Sequence, residues 1–130
     1  EQADWVRLFF LFVLNIDIAP SIISAAGSDI PELMQGRDFS GLYLSKQNKK
    51  WRKDFYYEHP FVTSEKRIPS SEALVTRSSK YILWPYYQYE EYFDIENDPY
   101  EKNNLIKKPG YEEKIGEMKN RFLELKSQAQ

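Results

Sequence analysis

Phe93-Asp94-Ile95-Glu96-Asn97-Asp98-Pro99-Tyr100-Glu101-Lys102-Asn103-Asn104-Leu105 closes a run of aromatic residues and gives way to turn formers and charge. Asp98 can accept bonds at the head of a turn that Pro99 opens with its fixed φ, and Glu101 stands three residues later, where it can reach back. The stretch is therefore a chain reversal, and the elements on its two sides should pack on each other. Upstream, Tyr89–Ile95 is β-prone, with Tyr92, Phe93 and Ile95 as anchors. Before it, Glu72–Arg77 and Lys80–Trp84 are two further β-prone runs joined through Ser78-Ser79, a hairpin whose second arm Pro85 stops. Earlier still, the alternation of Phe55–Val62 puts Phe55, Tyr57, His59 and Phe61 on one face of a strand, and Pro60 makes it an edge or ends it.

Downstream of the reversal, Pro109 opens the last element. Tyr111, Ile115, Met118, Phe122 and Leu125 recur at helical spacing, and Glu112, Glu113, Lys114, Glu117, Lys119, Asn120 and Lys126 fill the other face. Running to about Ser127, this amphipathic helix is about 27 Å long, enough to cross a four-stranded sheet. The fold class that follows is α+β: a small antiparallel sheet of about four strands with the C-terminal amphipathic helix packed across one face.

The N-terminal third is less regular. Asn15–Gly27 has the punctuation of a short helix, with Asp17 as a capping side chain, Pro20 in the first turn and Gly27 as a left-handed stop. Its apolar face is expected at Ile18, Ile22, Ile23 and Ala26. Pro31, Gly36 and Gly41 break the chain from Ser28 to Lys53, which reads as irregular with at most one short helical turn. The apolar run Leu8–Leu14 is far shorter than the roughly 20 residues of a membrane-crossing helix. It reads as a buried strand or covered edge.

A chain of 130 residues suits a single domain, 1–130. Ten Tyr and three Trp mean that large, half-buried rings carry much of the packing. A formal net charge of −2 gives no global field to attract nucleic acid or an anionic membrane. The lack of cysteine excludes a disulfide framework, a thiolate metal site and a cysteine nucleophile. The first residue is Glu1 rather than Met, which reads as a processed or truncated start.

Several segments together resemble the sulfatase family. Glu91–Pro99 with Glu101, Asn104 and Leu105 is similar to a signature near the C-terminus of sulfatases. Asn15–Ile22 resembles the start of a sulfatase helix, and Met34-Gln35-Gly36-Arg37 resembles a turn of that family. Trp51–Glu58, Ile68–Val75 and Lys80-Tyr81-Ile82 follow in the same order. The resemblance covers about residues 13 to 128 and leaves 1–12 unclear. It implies hydrolysis of sulfate esters or sulfamates by a formylglycine, made from Cys or Ser in a Cys/Ser-x-Pro-x-Arg motif, beside a calcium ion held by carboxylates. It also implies that the matching region is the C-terminal subdomain, a small antiparallel sheet packed by a terminal helix. Family members are commonly exported or lysosomal.

The seven prolines follow, at two positions' distance, Ile18, Asp29, Glu58, Arg67, Leu83, Asn97 and Lys107, so the nucleophile motif is missing. Asp94, Glu96, Asn97 and Asp98 come closest to a calcium locus, yet capping of the reversal accounts for Asp98. Formylglycine and calcium are thus expected in an N-terminal catalytic region, the expected partner, and this chain alone is expected to be inactive. The expected role is a wall of the substrate cleft.

Single residues carry weaker signals. His59, the sole histidine, is a packed strand residue in the plainer reading and a contact to sulfate or a leaving-group oxygen in the sharper one. Lys46, Lys49, Lys50, Arg52 and Lys53 surround Trp51, either as a solvated loop or as a holder of sulfated carbohydrate. The second option would make the chain a free-standing, non-catalytic module binding sulfated glycans. Arg37 reads as structural, its guanidinium tying down carbonyls in a turn. Tyr86, Tyr87 and Tyr89 either pack across strands or form a sugar-stacking platform.

Overall fold

The structure, a computed structural model, describes residues 11–42, 44, 51–60, 64 and 66–129. Leu8–Phe10 of the apolar run, Lys46, Lys49 and Lys50 of the basic run, and Phe61 and Val62 of the first expected strand lie outside those residues. The chain forms two compact units, residues 1–53 and 54–130.

In the second unit four strands, β1 (Asp54–His59), β2 (Ser71–Thr76), β3 (Ser79–Trp84) and β4 (Tyr89–Asp94), form an antiparallel meander in sequence order, and α2 (Glu112–Ala129) follows. This is the α+β architecture expected from the sequence. Leu74, Tyr81 and Tyr92, one from each of three neighbouring strands, bury against Ile115, Met118 and Phe122 of α2, with Tyr56, Leu83, Tyr111 and Leu125 packed around them. Phe122 sits edge-on to Tyr81, with ring centroids 5.3 Å apart, and tilted against Tyr56 at 5.6 Å. Burying a ring of this size contributes about 1.5–3 kcal/mol, which makes Phe122 the central pin of the helix.

Polar pairs flank that stripe. Lys119 of α2 meets Glu90, Arg121 forks onto Asp54, and Lys126 meets Glu72, so the helix has cations opposite acids of three strands. The hydroxyls of Tyr81 and Tyr56 donate to Glu90 and Glu72 at 2.6 and 3.0 Å. Burial first, and then these carboxylates, push both phenols above their ordinary range.

The reversal after β4 differs in detail from the expected capping box. Asp98 does cap, accepting from the Asn103 backbone N–H at 2.8 Å and from its side chain at 3.1 Å. Glu101 does not reach back: it takes a left-handed conformation, φ 53°, and its carboxylate meets Lys80 of β3. Asn104 then closes the loop onto β4, its Oδ1 accepting from the backbone N–H groups of Tyr92 and Ile106, while the N–H of Leu105 donates to the Tyr92 carbonyl at 2.8 Å. Leu105 drops into the core. β4 ends at Asp94 rather than Ile95, because Asp94 already opens the turn by accepting from Asn97. β1 ends at His59, with Pro60 directly after it.

In the first unit a 3-10 turn (Asn15–Asp17) leads into α1 (Ile18–Ala25), which stops at Gly27 with φ 75°. Asp17 occupies the N-cap position of α1 but does not cap that helix; its side chain instead reaches back to the head of the 3-10 turn. Its fully buried carboxylate accepts from the backbone N–H groups of Leu14 and Arg37, both at 2.8 Å, and from the guanidinium of Arg52. A buried charge is held more tightly by an opposite charge than by a cap alone, and the guanidinium fork supplies two donors at once. It is thus the backbone N–H of exposed Arg37, not its guanidinium, that makes the tie expected in this turn.

The face of α1 that meets its neighbouring segment is also not the expected one. One turn after Asp17, Ser21 accepts from the Phe39 N–H at 3.1 Å, and Ser24 donates to Asp38 at 2.8 Å. This polar face points inward, whereas Ile18 and Ile22 are 52% and 64% exposed. Gly36 explains the Gln-Gly-Arg turn: a Cβ there would lie 1.9 Å from the Ile16 carbonyl oxygen.

Candidate functional site

Alternation along each strand gives the sheet a face covered by α2 and an opposite face. The described candidates collect on the second. His59 pairs with Ser71 across β1 and β2, and Trp84 pairs with Tyr89 across β3 and β4. Glu72 pairs with Leu83, so one residue further out Ser71 comes level with Trp84. His59, Ser71, Trp84 and Tyr89 therefore form one row across all four strands, about 14 Å long at the usual strand spacing. Two candidates met separately in the sequence, His59 and the tyrosine cluster, are thus brought to the same end of the same face. Ser71, in the middle, is buried, and His59 is half-buried.

The Tyr89 end of the row is the more built of the two. The connection from β3 to β4 is a 3-10 turn, Pro85–Tyr87, followed by Gln88 in a left-handed conformation with φ 49°. Pro85 presets the first dihedral and the turn closes by a bond from the Gln88 N–H to the Pro85 carbonyl. Tyr86 and Tyr87 stand edge to face, centroids 5.0 Å apart. The indole N–H of Trp84 donates to Glu91 Oε2 at 2.8 Å, a diagonal pair across the hairpin, and Asn104 Nδ2 donates to the Tyr89 hydroxyl at 3.0 Å. Pro69, Trp84, Tyr87, Tyr89 and Glu91 line a shallow depression of about 580 Å3.

Other candidates are engaged in structure. The guanidinium of Arg52 forks onto Asp17 and stacks on the Trp51 ring, 5.0 Å from its centroid, while the Trp51 indole donates to the Phe12 carbonyl at 2.8 Å. Those two residues of the basic run thus face inward, and Lys53 is exposed. Burial pushes Asp17 upward, but the bonds from Arg52, Leu14 and Arg37 and the charge of Arg52 outweigh it and hold its carboxyl below the usual range. Asp94 and Asp98, the closest to a calcium locus in the sequence, accept from Asn97 and Asn103 within the reversal. Among the described residues no three His, Asp or Glu side chains converge as a cation would require. Among them, too, no helix is long and apolar enough to cross a membrane.

Sequence reasoning missed Trp84 and Glu91 as site residues and missed Asn104 as the group that orients Tyr89. The signal for the first pair lay in the hairpin register, which only a firm placement of Pro85–Gln88 between the arms would have given.

Residues 8–128 match the family model described as N-sulphoglucosamine sulphohydrolase, C-terminal. An arylsulfatase of Clostridium perfringens is 32% identical over 99 residues, 76% of this chain and 19% of the relative. An N-acetylglucosamine-6-O-sulfatase of Bacteroides thetaiotaomicron is 29% identical over 110 residues, 81% of this chain and again 19% of the relative. The chain thus spans about a fifth of the length of these curated relatives. Among solved structures, a protein in complex with its substrate D-glucosamine-2-N,6-O-disulfate superposes with a TM-score of 0.78 at 26% identity, over 86% of this chain and 23% of that one. A phosphonate monoester hydrolase of Agrobacterium radiobacter shares the fold, with a TM-score of 0.72 at 17% identity, over 86% of this chain and 24% of the other.

Proposed function

Because the chain belongs to the family of N-sulphoglucosamine sulphohydrolase C-terminal regions, we propose that it works as the C-terminal part of a sulfuric ester hydrolase. In this reading the nucleophile and the calcium ligands come from an N-terminal catalytic region, which is the chain's partner. The face of the sheet opposite α2 lines one wall of the substrate cleft. His59, at one end of the row that crosses that face, meets sulfate or a leaving-group oxygen, and the wall orients the ester by binding energy remote from the reacting atoms. The substrate in this reading is a sulfated carbohydrate, supported by the name of the N-acetylglucosamine-6-O-sulfatase relative and by the disulfated glucosamine bound in the similar structure.

The observation that carries this reading is the outward turn of Ile18 and Ile22 on α1. Ser21 and Ser24 are bonded to the segment at Asp38-Phe39, Ile23 is half-buried, and Ile18 and Ile22 are turned out. An amphipathic helix left so would expose apolar surface at a cost of about 25 cal/mol per Å2, which a covering surface removes. The catalytic region of the same protein is the covering surface in this reading.

Two assays test it. The chain incubated with 4-nitrophenyl sulfate and calcium is expected to release no nitrophenol; genuine turnover by this chain alone would defeat the proposal. Co-expression with the catalytic region is expected to give a soluble complex that Ile22→Glu disrupts. A complex indifferent to that charge would remove α1 from the interface.

A further inference from the structure

Exposed aromatic rings on a sheet usually rotate freely, and fixing them costs conformational entropy unless something gains from their orientation. At the depression beside β3 and β4 the rings are fixed by their polar edges. The Trp84 indole N–H is held by Glu91 at 2.8 Å and the Tyr89 hydroxyl by Asn104 at 3.0 Å. Tyr87 stands edge to face with Tyr86 on a turn stiffened by Pro85. Both tyrosines nevertheless remain accessible: Tyr87 is 52% and Tyr89 47% exposed. Among the described lining residues the one charged group is the carboxylate of Glu91, and none is cationic.

We infer that the Trp84–Tyr87–Tyr89–Glu91 depression is a carbohydrate subsite for an uncharged sugar unit, distinct from any position that receives a sulfate. The apolar C–H face of a pyranose ring stacks on tethered aromatic rings, and the second oxygen of Glu91 accepts from a sugar hydroxyl. A sulfate placed here would meet a carboxylate with no compensating cation among the described lining residues, an arrangement that rejects ligands by like charge. The choice of carbohydrate rather than another ring-rich ligand rests on the sulfatase reading; the preference for an uncharged unit rests on the lining itself.

The test titrates the chain by calorimetry with two probes of equal length, an uncharged β-1,4-linked N-acetylglucosamine tetrasaccharide and a heparin tetrasaccharide. The uncharged probe is expected to bind at least about tenfold more tightly, with little dependence on salt. Trp84→Ala is expected to weaken it about tenfold, with circular dichroism confirming the fold, and Glu91→Gln to narrow the gap between the probes by removing the repulsive charge. Tighter, salt-sensitive binding of heparin would overturn the inference. So would failure of the folded chain to bind either probe, or displacement of the sugar by a proline-rich decapeptide. A second measurement uses a longer polypeptide that carries this chain and turns over sulfate esters. There Trp84→Ala is expected to raise KM for a sulfated tetrasaccharide about tenfold while leaving KM for 4-nitrophenyl sulfate, which has no second sugar, unchanged. An equal rise for both substrates would reduce Trp84 to a structural residue without touching the hydrolase reading.

Discussion

The guanidinium of Arg52 forks onto the fully buried carboxylate of Asp17, a contact spanning 35 positions of sequence that closes residues 14–52 into one unit. Removing the cation leaves a buried charge with two backbone donors only. Arg52→Ala is expected to destabilise this unit by about 3–5 kcal/mol, read by urea denaturation, and Arg52→Lys to recover less than half of the loss because a single ammonium cannot fork. The folded-state carboxyl of Asp17 lies below its ordinary value of 3.8. Its contribution is therefore complete above the unfolded value and is lost as pH falls through the lower, folded one. The wild-type chain should thus lose stability below about pH 4, and Asp17→Asn should flatten that part of the profile.

Gly36 leaves no room for a side chain. With a Cβ 1.9 Å from the Ile16 carbonyl oxygen, Gly36→Ala has to move backbone against backbone. A loss of about 1–3 kcal/mol is expected, visible as faster proteolysis of residues 11–42 with the sheet's circular dichroism signal retained. An unchanged cleavage rate would mean that the turn yields easily.

Asn104 bonds to β4 from both ends of its side chain, through Oδ1 to the Tyr92 N–H and through Nδ2 to the Tyr89 hydroxyl. Asn104→Asp keeps the acceptor and loses the donors. It should cost about 1–2 kcal/mol by thermal melting and release the Tyr89 ring, seen as line narrowing of its resonances. Asn104→Ala should cost more, since the Tyr92 N–H then also loses a partner.

Phe122 pins α2 to the sheet. Phe122→Ala is expected to destabilise the second unit by about 3–5 kcal/mol, whereas Leu123→Ala, on the exposed side of the same turn, should stay within about 0.5 kcal/mol. Denaturant midpoints with unchanged slopes would check both.

Ile18 and Ile22 of α1 leave apolar surface facing water. The isolated chain is expected to associate at micromolar concentration by light scattering, and Ile18→Ser with Ile22→Ser to reduce that association. A fully monomeric wild-type chain would show that this face needs no cover.

The sequence by itself determined the sheet, the helix and their order, since periods of two and of about 3.6 state which residues must hide together. Ile115, Met118 and Phe122 fill the core as the spacing requires, whereas the β2–β3 turn falls at Arg77-Ser78, one residue before the expected Ser78-Ser79. The reversal at Asp98 was legible because capping is local. Contacts between residues distant in sequence were not. Glu101 looked placed to cap, yet Lys80 was the nearer charge once β3 lay beside the loop. Asp17 looked like a helix cap, yet only the folded chain brought Arg52 to it. The outward turn of Ile18 and Ile22 was equally hidden, because periodicity shows that a helix has two faces but not which one its surroundings will claim. The row from His59 to Tyr89 depends on the registers of three strand pairs at once, and a shift of one residue in any of them would send its members to the other face.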